Sequence, residues 1–322
     1  MISELLPHLF IIAVAFCALL WSADRFVAGA AAIAKQADVS PLITGMTIVS
    51  FGTSAPEIVV SVVSAMRGAG EIAVGNALGS NIANTGLVLG ATAMIAPLVV
   101  SRATVMTDVP ILLGIILISG GLLSDGVLGF MDAAILLTGL LQFLVKLYRD
   151  SQQDTAVVDE VCLPEMSSKK AWLTFLLGLV ILIASSRYLV ISATEIAMTL
   201  GVSELIIGLT IVALGTSLPE LAASALSAIK GHADIAIGAV VGSNIFNLLV
   251  VLSLPGLFTD LNIGKPEMMR DMGTVLVTTL ILFVCLLLSW DKSNNSAGLG
   301  RGAGVILLAS YVLYYVLLIK TQ

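Results

Sequence analysis

A six-residue motif, Gly-Thr-Ser-x-Pro-Glu, occurs twice in the chain, each time within a long apolar stretch. The copies occupy residues 52–57 and 215–220, a constant 163 positions apart. Proline has no amide hydrogen and clashes with the preceding helical turn, so Pro56 and Pro219 predict a break in each helix. Carbonyls freed at such a break cannot stay bare in hydrocarbon, and a cation would satisfy them. Each motif therefore predicts a group of carbonyl, hydroxyl and carboxylate oxygens.

A second repeated motif, Gly-Ser-Asn-Ile-x-Asn, follows at residues 79–84 and 242–247. Its Ser and second Asn are four residues apart and therefore share one face of a helix. The predicted ligands are Thr53, Ser54, Glu57, Ser80, Asn84, Thr216, Ser217, Glu220, Ser243 and Asn247. An all-oxygen set without Cys or His suits hard cations such as calcium, and by the same argument sodium. Two carboxylates balance one divalent or two monovalent ions, and competition between such ions is a basis for exchange.

Other interpretations of these residues remain open. Ser54 and Glu57 also fit a capping box, in which the Glu only starts a helix. Because an ionisable side chain at membrane depth is costly and usually functional, the duplicated Glu favours an ion site. The repeated Gly-x-x-x-Gly segments, 75–79 and 238–242, predict close helix packing more than ligand contact.

The remaining polar residues near the motifs are predicted to be structural. Asn81 and Asn244 lie about 100° around the helix from the preceding Ser, which favours hydrogen bonds between helices. Serines one and two turns after each Glu are interpreted as small packing residues; they are Ser61, Ser64, Ser224 and Ser227. Arg25 is expected to pair with Asp24 or to extend to the membrane interface.

Composition requires an apolar environment around these motifs. Of 322 residues 58% are hydrophobic and only 11% are charged, with a mean hydropathy of +1.07; soluble domains carry about 25% charged residues. The net charge of −6 argues against nucleic-acid binding, and three widely separated cysteines predict neither a disulfide framework nor a metal site. No Lys or Arg precedes the first apolar run, so we expect a permanent span there and no cleaved signal peptide.

Apolar stretches of about 20 residues predict roughly ten transmembrane helices. They cover residues 5–34, 41–67, 71–96, 105–124, 127–147, 170–198, 204–230, 234–258, 269–289 and 300–319. The polar residues 148–169 are predicted to be a linker between a first five-helix repeat, residues 1–147, and a second, residues 170–322.

An odd number of spans in each half means that the second half enters the membrane from the opposite side. The prediction is an all-α integral membrane protein with two inverted repeats and broken helices at the midplane, a transporter architecture. With the N-terminus outside, nine basic loop residues fall inside and four outside, which favours a cytoplasmic linker in a cell inner (plasma) membrane.

Both motifs, with their spacing, resemble the alpha repeats of the calcium/cation antiporter superfamily, and of prokaryotic sodium/calcium exchangers in particular. The resemblance covers nearly the whole chain. It implies ion binding by the Thr, Ser and Glu of both motifs and by the Ser and Asn of the second motif. It also implies carbonyl ligands at Ser50 and Ala213, breaks in the second, third, seventh and eighth helices, and alternating access by sliding of the first and sixth helices.

Two departures from the family pattern are informative. Some relatives have Asp in place of Asn247, and in potassium-dependent relatives that acid is tied to potassium, so no potassium dependence is expected. The linker is also too short for the large calcium-sensing loop of animal exchangers.

The expected function is exchange of sodium for calcium, in the direction of calcium efflux. The chain is not expected to be an enzyme or to need a cofactor; its partners are the two ions and membrane lipid, and a monomer suffices for transport. The alternatives are a proton-coupled calcium antiporter, a cation channel, and a membrane scaffold without a transport role.

Overall fold

The structure, a computed structural model, describes residues 2–37, 41–66, 68, 70–153, 166–200, 215 and 217–321. The first half contains α1 (Ile2–Gln36), α2 (Pro41–Thr44), α3 (Ser50–Thr53), α4 (Ala55–Met66), α5 (Gly70–Ile82), α6 (Leu89–Ile95), β1 (Leu98–Ser101), α7 (Val109–Leu122), β2 (Val127–Leu128) and α8 (Phe130–Gln153). The second half contains α9 (Ser168–Thr199), α10 (Leu218–Ile229), α11 (Ala233–Phe246), α12 (Ser253–Phe258), β3 (Leu261–Asn262), α13 (Lys265–Leu288), β4 (Trp290–Asp291), β5 (Ser296–Leu299) and α14 (Arg301–Thr321).

Helices long and apolar enough to cross a membrane account for most of the described chain. There are seven of them, or eight when a bent pair, residues 42–53 and 55–63, is counted as one span. The predicted seventh span falls largely outside the described residues, which include only α10, Gly215 and Ser217 of its length. The chain is therefore a multi-pass membrane protein, and the count of ten helices stays a prediction.

Breaks in the helices occur at the same repeat positions in both halves. Ser54 separates α3 from α4 with a bend of 43°, and Ser217, 163 residues later, immediately precedes α10. The next helix of each half contains a π-helical turn, at Ala83–Val88 and Asn247–Val251. π-Helical turns are rare in proteins, and those that do occur are often found at functional sites. The prolines predict the breaks, but the π-helical turns have no such sequence signal.

The first helices of the two halves, α1 and α9, cross at very close range. A Cβ added to Gly29 would lie 2.5 Å from the Phe175 main-chain nitrogen, and one added to Gly178 would lie 2.6 Å from that of Phe26. Because higher numbers in α1 meet lower numbers in α9, the two helices are antiparallel. This arrangement agrees with the predicted inversion of the halves.

Two separate hydrophobic clusters hold the molecule together. The larger joins α5, α7, α8, α11, α13 and α14. The smaller lies along α1 and α9, where Phe26 and Phe175 stack with ring centroids 4.9 Å apart. The smaller cluster also includes Val49, Ala222, Ala223, Ile235 and Ala239, so the α1–α9 pair packs on both segments that carry the Gly-Thr-Ser-x-Pro-Glu motif and on α11.

Five short strands depart from the predicted all-helical fold. β1 pairs antiparallel with β5, whose other neighbour is β4, and β2 pairs antiparallel with β3. Each of the two ribbons therefore joins a loop of the first half to a loop of the second half. β2, β3 and β4 have only two residues each, too few for an alternating pattern to show in the sequence.

Two further expectations can be compared with the described residues. Helices α8 and α9 extend into the predicted linker 148–169, of which residues 154–165 lie outside the described chain. Asp24 does not pair with Arg25: it accepts from Lys230 at 2.6 Å, tying α1 to the end of α10. The Arg25 guanidinium instead lies over the Trp21 ring, 5.6 Å from its centroid.

Candidate cation site

The two repeated motifs meet inside the protein. Glu57 and Glu220 each lie in the first turn of a helix that follows a break, α4 and α10 respectively, and both side chains are buried. Ser54 of the first motif donates a hydrogen bond to Glu220 Oε1 of the second at 3.4 Å. Residues 166 positions apart in the chain therefore form one polar centre, as the inverted repeats predict.

The two copies of the Gly-Ser-Asn-Ile-x-Asn motif lie beside this centre, at the ends of α5 and α11. Ser80 Oγ donates to Glu57 Oε1 at 3.5 Å, and Ser243 Oγ donates to the Ser50 carbonyl at 3.4 Å. Asn84 and Asn247 lie in the two π-helical turns and are fully buried. Ten of the predicted ligands lie within the described residues, and each is at most 4% exposed. They are Ser50, Thr53, Ser54, Glu57, Ser80, Asn84, Ser217, Glu220, Ser243 and Asn247. Thr216 and Ala213, also predicted as ligands, lie outside the described residues.

Several buried polar atoms at this centre have no hydrogen-bond partner among the described residues. They are Glu57 Oε2, Glu220 Oε2, Ser217 Oγ and both amide atoms of Asn84 and Asn247. Buried polar groups are ordinarily paired, and an uncompensated buried charge costs several kcal/mol. No ion pair in the described part of the chain neutralises either Glu. The described residues thus bring together buried oxygens and two carboxylates without a paired cation, and one divalent or two monovalent cations would balance the charge of the ionised pair.

The structure does not support the capping-box interpretation. Ser217, at the N-cap of α10, makes no side-chain hydrogen bond to its own helix. In a capping box the serine would accept a hydrogen bond from the main chain of its own helix. Ser54 instead donates to the carboxylate of Glu220, in the other copy of the motif. Ser54 is therefore directed to the polar centre, and the buried Ser217 hydroxyl does not cap its helix.

Main-chain carbonyls at the breaks are satisfied in different ways. The Ser50 carbonyl already accepts the Ser54 N–H at 2.9 Å, so the break does not free it. Gly215, four residues before Pro219, loses its helical donor because proline has no N–H. Its carbonyl accepts from Ser186 Oγ of α9 at 2.7 Å.

Neighbouring polar residues have mostly structural roles. Asn244 Nδ2 donates to Thr85 Oγ1 at 2.8 Å, an interhelical bond as predicted, whereas Asn81 donates to Ala77 within its own helix. Ser61 donates to the Val251 carbonyl at 2.7 Å across two helices. Ser224 and Ser227 are buried, and their hydroxyls have no hydrogen-bond partner among the described residues. The side chain of Ser64 is not described.

Asn76 and Ser186 contact the motifs, but neither residue type is repeated at the equivalent position of the other half. The internal repeat therefore does not identify them as functional residues. Asn76 Nδ2 donates to the Glu57 carbonyl at 3.3 Å, while the corresponding residue of the second half is Ala239. Ser186 is one of two adjacent serines in the apolar α9. A polar side chain in an otherwise apolar span is the signal that could have identified either residue.

The glycines of the second Gly-x-x-x-Gly segment pack as predicted. A Cβ on Gly238 would lie 2.7 Å from the Leu42 carbonyl, and one on Gly242 would lie 2.6 Å from Ser50 Oγ. These glycines bring α11 against the half-helix that ends at Thr53. The equivalent partners of Gly75 and Gly79 would fall within residues 201–214, outside the described chain.

Comparison with known proteins identifies a family with this architecture. The sodium/calcium exchanger protein family matches residues 7–149 and 170–320. The chain is 40% identical over 309 residues to the putative antiporter CaxA of Alkalimonas amylolytica, covering 94% of this chain and 96% of that protein. It is 37% identical to the inner membrane protein YrbG of Escherichia coli strain K12, covering 92% of each.

Solved structures agree with this match. The sodium-calcium exchanger NCX_Mj, in a structure soaked with zero Na⁺ and Ca²⁺, superimposes with a TM-score of 0.82 at 28% sequence identity. The match covers 98% of this chain and 99% of that one. The structural similarity therefore includes both halves of the chain.

Proposed function

The chain belongs to the sodium/calcium exchanger protein family and is therefore a membrane antiporter of cations; we propose that it exchanges sodium for calcium by alternating access and moves calcium out of the cell. The proposed ligands are the side chains of Thr53, Ser54, Glu57, Ser80, Asn84, Thr216, Ser217, Glu220, Ser243 and Asn247, with carbonyl contributions at Ser50 and Ala213. The proposed transport unit is one chain without a resident cofactor.

The buried and unneutralised Glu57 and Glu220 are the observation that carries this proposal. The Oε2 atom of each carboxylate has no hydrogen-bond partner in the described structure. When both carboxylates are ionised, their negative charges repel one another. Such a site is stable when one calcium or two sodium ions are bound. Because the empty, doubly charged site is the least stable state, it should rarely cross between the two membrane faces.

Hydroxyl groups favour sodium over protons as the coupling ion. Ser54 contacts Glu220 and Ser80 contacts Glu57, so each carboxylate has an additional hard oxygen beside it. Sodium and calcium both prefer such mixed oxygen sets. Proton coupling would need the carboxylates alone and leaves the duplicated hydroxyls without a purpose.

The two hydrophobic clusters support alternating access. The α1–α9 pair has its own core and contacts the motif helices through Val49, Ala222 and Ala223. Movement of this pair against the larger cluster would expose the centre to one face and then to the other. We propose an external N-terminus and a cytoplasmic central linker, which follow from the basic loop residues.

Transport by purified protein in liposomes tests the proposal. Vesicles loaded with sodium should take up radioactive calcium from sodium-free medium, and uptake should cease when the sodium gradient is collapsed. Uptake driven equally well by a pH gradient alone would overturn sodium coupling in favour of protons. Calcium flux that needs neither gradient would indicate a channel.

Removal of either buried carboxylate should abolish this exchange. Glu57→Gln and Glu220→Gln keep the side-chain volume but remove the charge that calcium needs, and we expect calcium uptake to fall at least 100-fold, in line with a loss of about 3 kcal/mol or more of binding free energy. Glu71→Gln is a matched control, since Glu71 is exposed at the start of α5. Near-normal transport by both site variants would contradict the site assignment.

A further inference from the structure

A second charged cluster lies outside the repeated motifs, at the end of the bundle where α8 runs into the central linker. Lys146 Nζ of α8 lies 2.5 Å from Asp150 Oδ2, one helical turn further on, and 3.5 Å from Asp108 Oδ1. Asp108 ends the π-helical turn that precedes α7. One ammonium group thus faces two carboxylates, and the three side chains together carry a net negative charge.

Asp108 is the least satisfied member of this cluster. Its side chain is 5% exposed, and its Oδ2 has no hydrogen-bond partner among the described residues. A buried carboxylate with an open oxygen is costly unless another donor or cation reaches it. Lys146 reaches the other oxygen, at a distance well beyond that of a strong charge-assisted hydrogen bond.

A cavity of about 310 Å³ opens directly onto these groups. Its wall includes Thr107, Asp108, Lys146 and Asp150, together with Leu42 and Met46. A water molecule takes about 30 Å³ in the liquid, so a cation with several of its waters fits. Leu42 and Met46 belong to the segment that leads to Ser50 and Thr53, so this cavity contacts the far end of the first half-helix of the motif.

The internal repeat shows that the open carboxylate is specific to the first half. Asp271 occupies the equivalent position, 163 residues later. It accepts from Arg270 Nε at 2.7 Å and from Tyr314 at 3.1 Å, and its second oxygen accepts from Arg270 at 3.1 Å. Lys146 has Ala309 as its counterpart. The second half therefore satisfies both oxygens of its carboxylate with side-chain donors, whereas in the described part of the chain the side-chain donor to Asp108 is Lys146, which reaches one oxygen only.

We propose that Asp108 and Asp150 form a second divalent-cation site, separate from the repeated motifs, in which calcium replaces the Lys146 ammonium as the counter-charge. Asp108 and Asp150 supply carboxylate oxygens, Thr107 supplies a hydroxyl, and water completes a shell of six to eight oxygens. Lys146 is 27% exposed along its side chain, so it can turn outward to solvent when the ion enters. This site lies beyond the proposed exchange site and does not depend on that site's being correct.

Calcium binding to the purified chain tests the proposal, with radioactive calcium and equilibrium dialysis as the measurement. A Glu57→Gln, Glu220→Gln variant lacks the carboxylates of the repeated motifs and should retain one calcium per chain. Adding Asp108→Asn should weaken this residual binding at least tenfold. Lys146→Met should strengthen it about tenfold, because the competing positive charge is removed.

Two further variants guard against misfolding and non-specific effects. Asp150→Asn changes a half-exposed residue and should weaken the residual binding several-fold without loss of folding. Asp271→Asn is the matched control from the second half and should leave calcium binding unchanged. At a calcium concentration that just fills the second site of the unmodified chain, the Asp108→Asn variant should bind less calcium per chain, whatever the affinity of the motif site.

A structural ion pair would give different results. If the residual binding is absent at millimolar calcium, or if Asp108→Asn leaves it unchanged, the second site does not exist. If Lys146→Met lowers thermal stability without any gain in calcium affinity, the lysine is a structural partner and the proposed replacement is wrong.

Discussion

Ser186 supplies a hydrogen bond that the motif's own proline makes necessary. Pro219 cannot donate to the Gly215 carbonyl, and an unpaired carbonyl in the membrane interior costs several kcal/mol. Ser186 of α9 donates to it at 2.7 Å, which links the α1–α9 pair to the site. In the first half, the residue aligned with Ser186 is Asp24, one position before the paired Arg25, and it bonds to Lys230 instead.

Ser186→Ala should therefore destabilise the protein by about 1–3 kcal/mol, the cost of leaving a buried acceptor unsatisfied. Thermal unfolding in detergent measures the change. Ser185→Ala is a close control, because Ser185 is equally buried and donates only within its own helix, to Ile181 and Leu182. Equal effects of the two substitutions would show that the bond to Gly215 has no special importance.

The amide side chain of Asn247 predicts that calcium uptake does not depend on potassium. Asn247 is a buried amide, so the proposed exchange site contains two carboxylates and has no further charge for a second monovalent co-substrate. Calcium uptake by the wild type should be the same with and without potassium. Asn247→Asp adds a third buried carboxylate, which should slow uptake unless potassium or another monovalent cation is supplied. Potassium-dependent transport by the unaltered chain would contradict this assignment.

At the residue scale, the sequence predicts those features that occur twice. Glu57, Glu220 and the serines of both motifs could be identified because the repeat marks them, and the structure brings their described members together. Asn76 has Ala239 as its counterpart and could not be identified in this way. The open oxygen of Asp108 is likewise a property of the packing, because the sequence contains the same residue at 271.

At the scale of elements, the crossing of α1 and α9 depends on two glycines. Gly29 and Gly178 each lie against the main chain of the partner helix, so the helices touch without intervening side chains. Family resemblance implies that the first and sixth helices move together. Close backbone contact would allow them to do so as one unit.

Gly29→Ala and Gly178→Ala should separate this pair. Each new methyl group would lie within 2.6 Å of backbone atoms, and overpacking of this kind costs about 1–3 kcal/mol. Both variants should unfold at lower temperature and exchange calcium more slowly. Gly114→Ala is the matched helical control, with no atom within 4 Å of its new Cβ, and should be neutral or slightly stabilising. Normal transport by both crossing variants would exclude a tight α1–α9 contact.

Element boundaries could be predicted where hydrophobic length and proline decide them. The expected spans 105–124 and 269–289 correspond to helical segments at Thr104–Leu122 and Lys265–Leu288, and the break at residue 54 follows from Pro56. The short strands and π-helical turns could not, because they depend on contacts between distant parts of the chain.

At the scale of the whole molecule, the described residues form two hydrophobic clusters, and we infer that these mark the two bodies that move in transport. The ribbons β1–β5 and β2–β3 join loops of the two halves. The larger hydrophobic cluster joins helices of both halves, among them α7, α8 and α13. α1 and α9 lie outside both ribbons and share the smaller cluster.

Cross-links should distinguish these bodies. In a chain without its native cysteines, a Ser101→Cys, Ser296→Cys pair joins facing residues of β1 and β5 within disulfide range, and calcium exchange should continue after oxidation. An Asp24→Cys, Lys230→Cys pair joined by a short bifunctional thiol reagent would tie α1 to α10, whose ion pair shows that the side chains meet. Exchange should then stop and recover on cleavage. Continued exchange with the second link in place would rule out sliding of α1.

The ribbon between β2 and β3 also fixes how the chain is threaded through the bilayer. Strands that share hydrogen bonds must lie in the same layer of water, so the polypeptide between Leu128 and Leu261 has to return to the side from which it started. Return requires an even number of passages, and three are already taken by α8, α9 and the helix that runs from Ala233 to Phe258. We therefore predict a fourth passage between α9 and α11, a stretch in which the structure describes α10, about 18 Å long. A ladder of two residue pairs thus fixes the direction in which α11 enters the membrane.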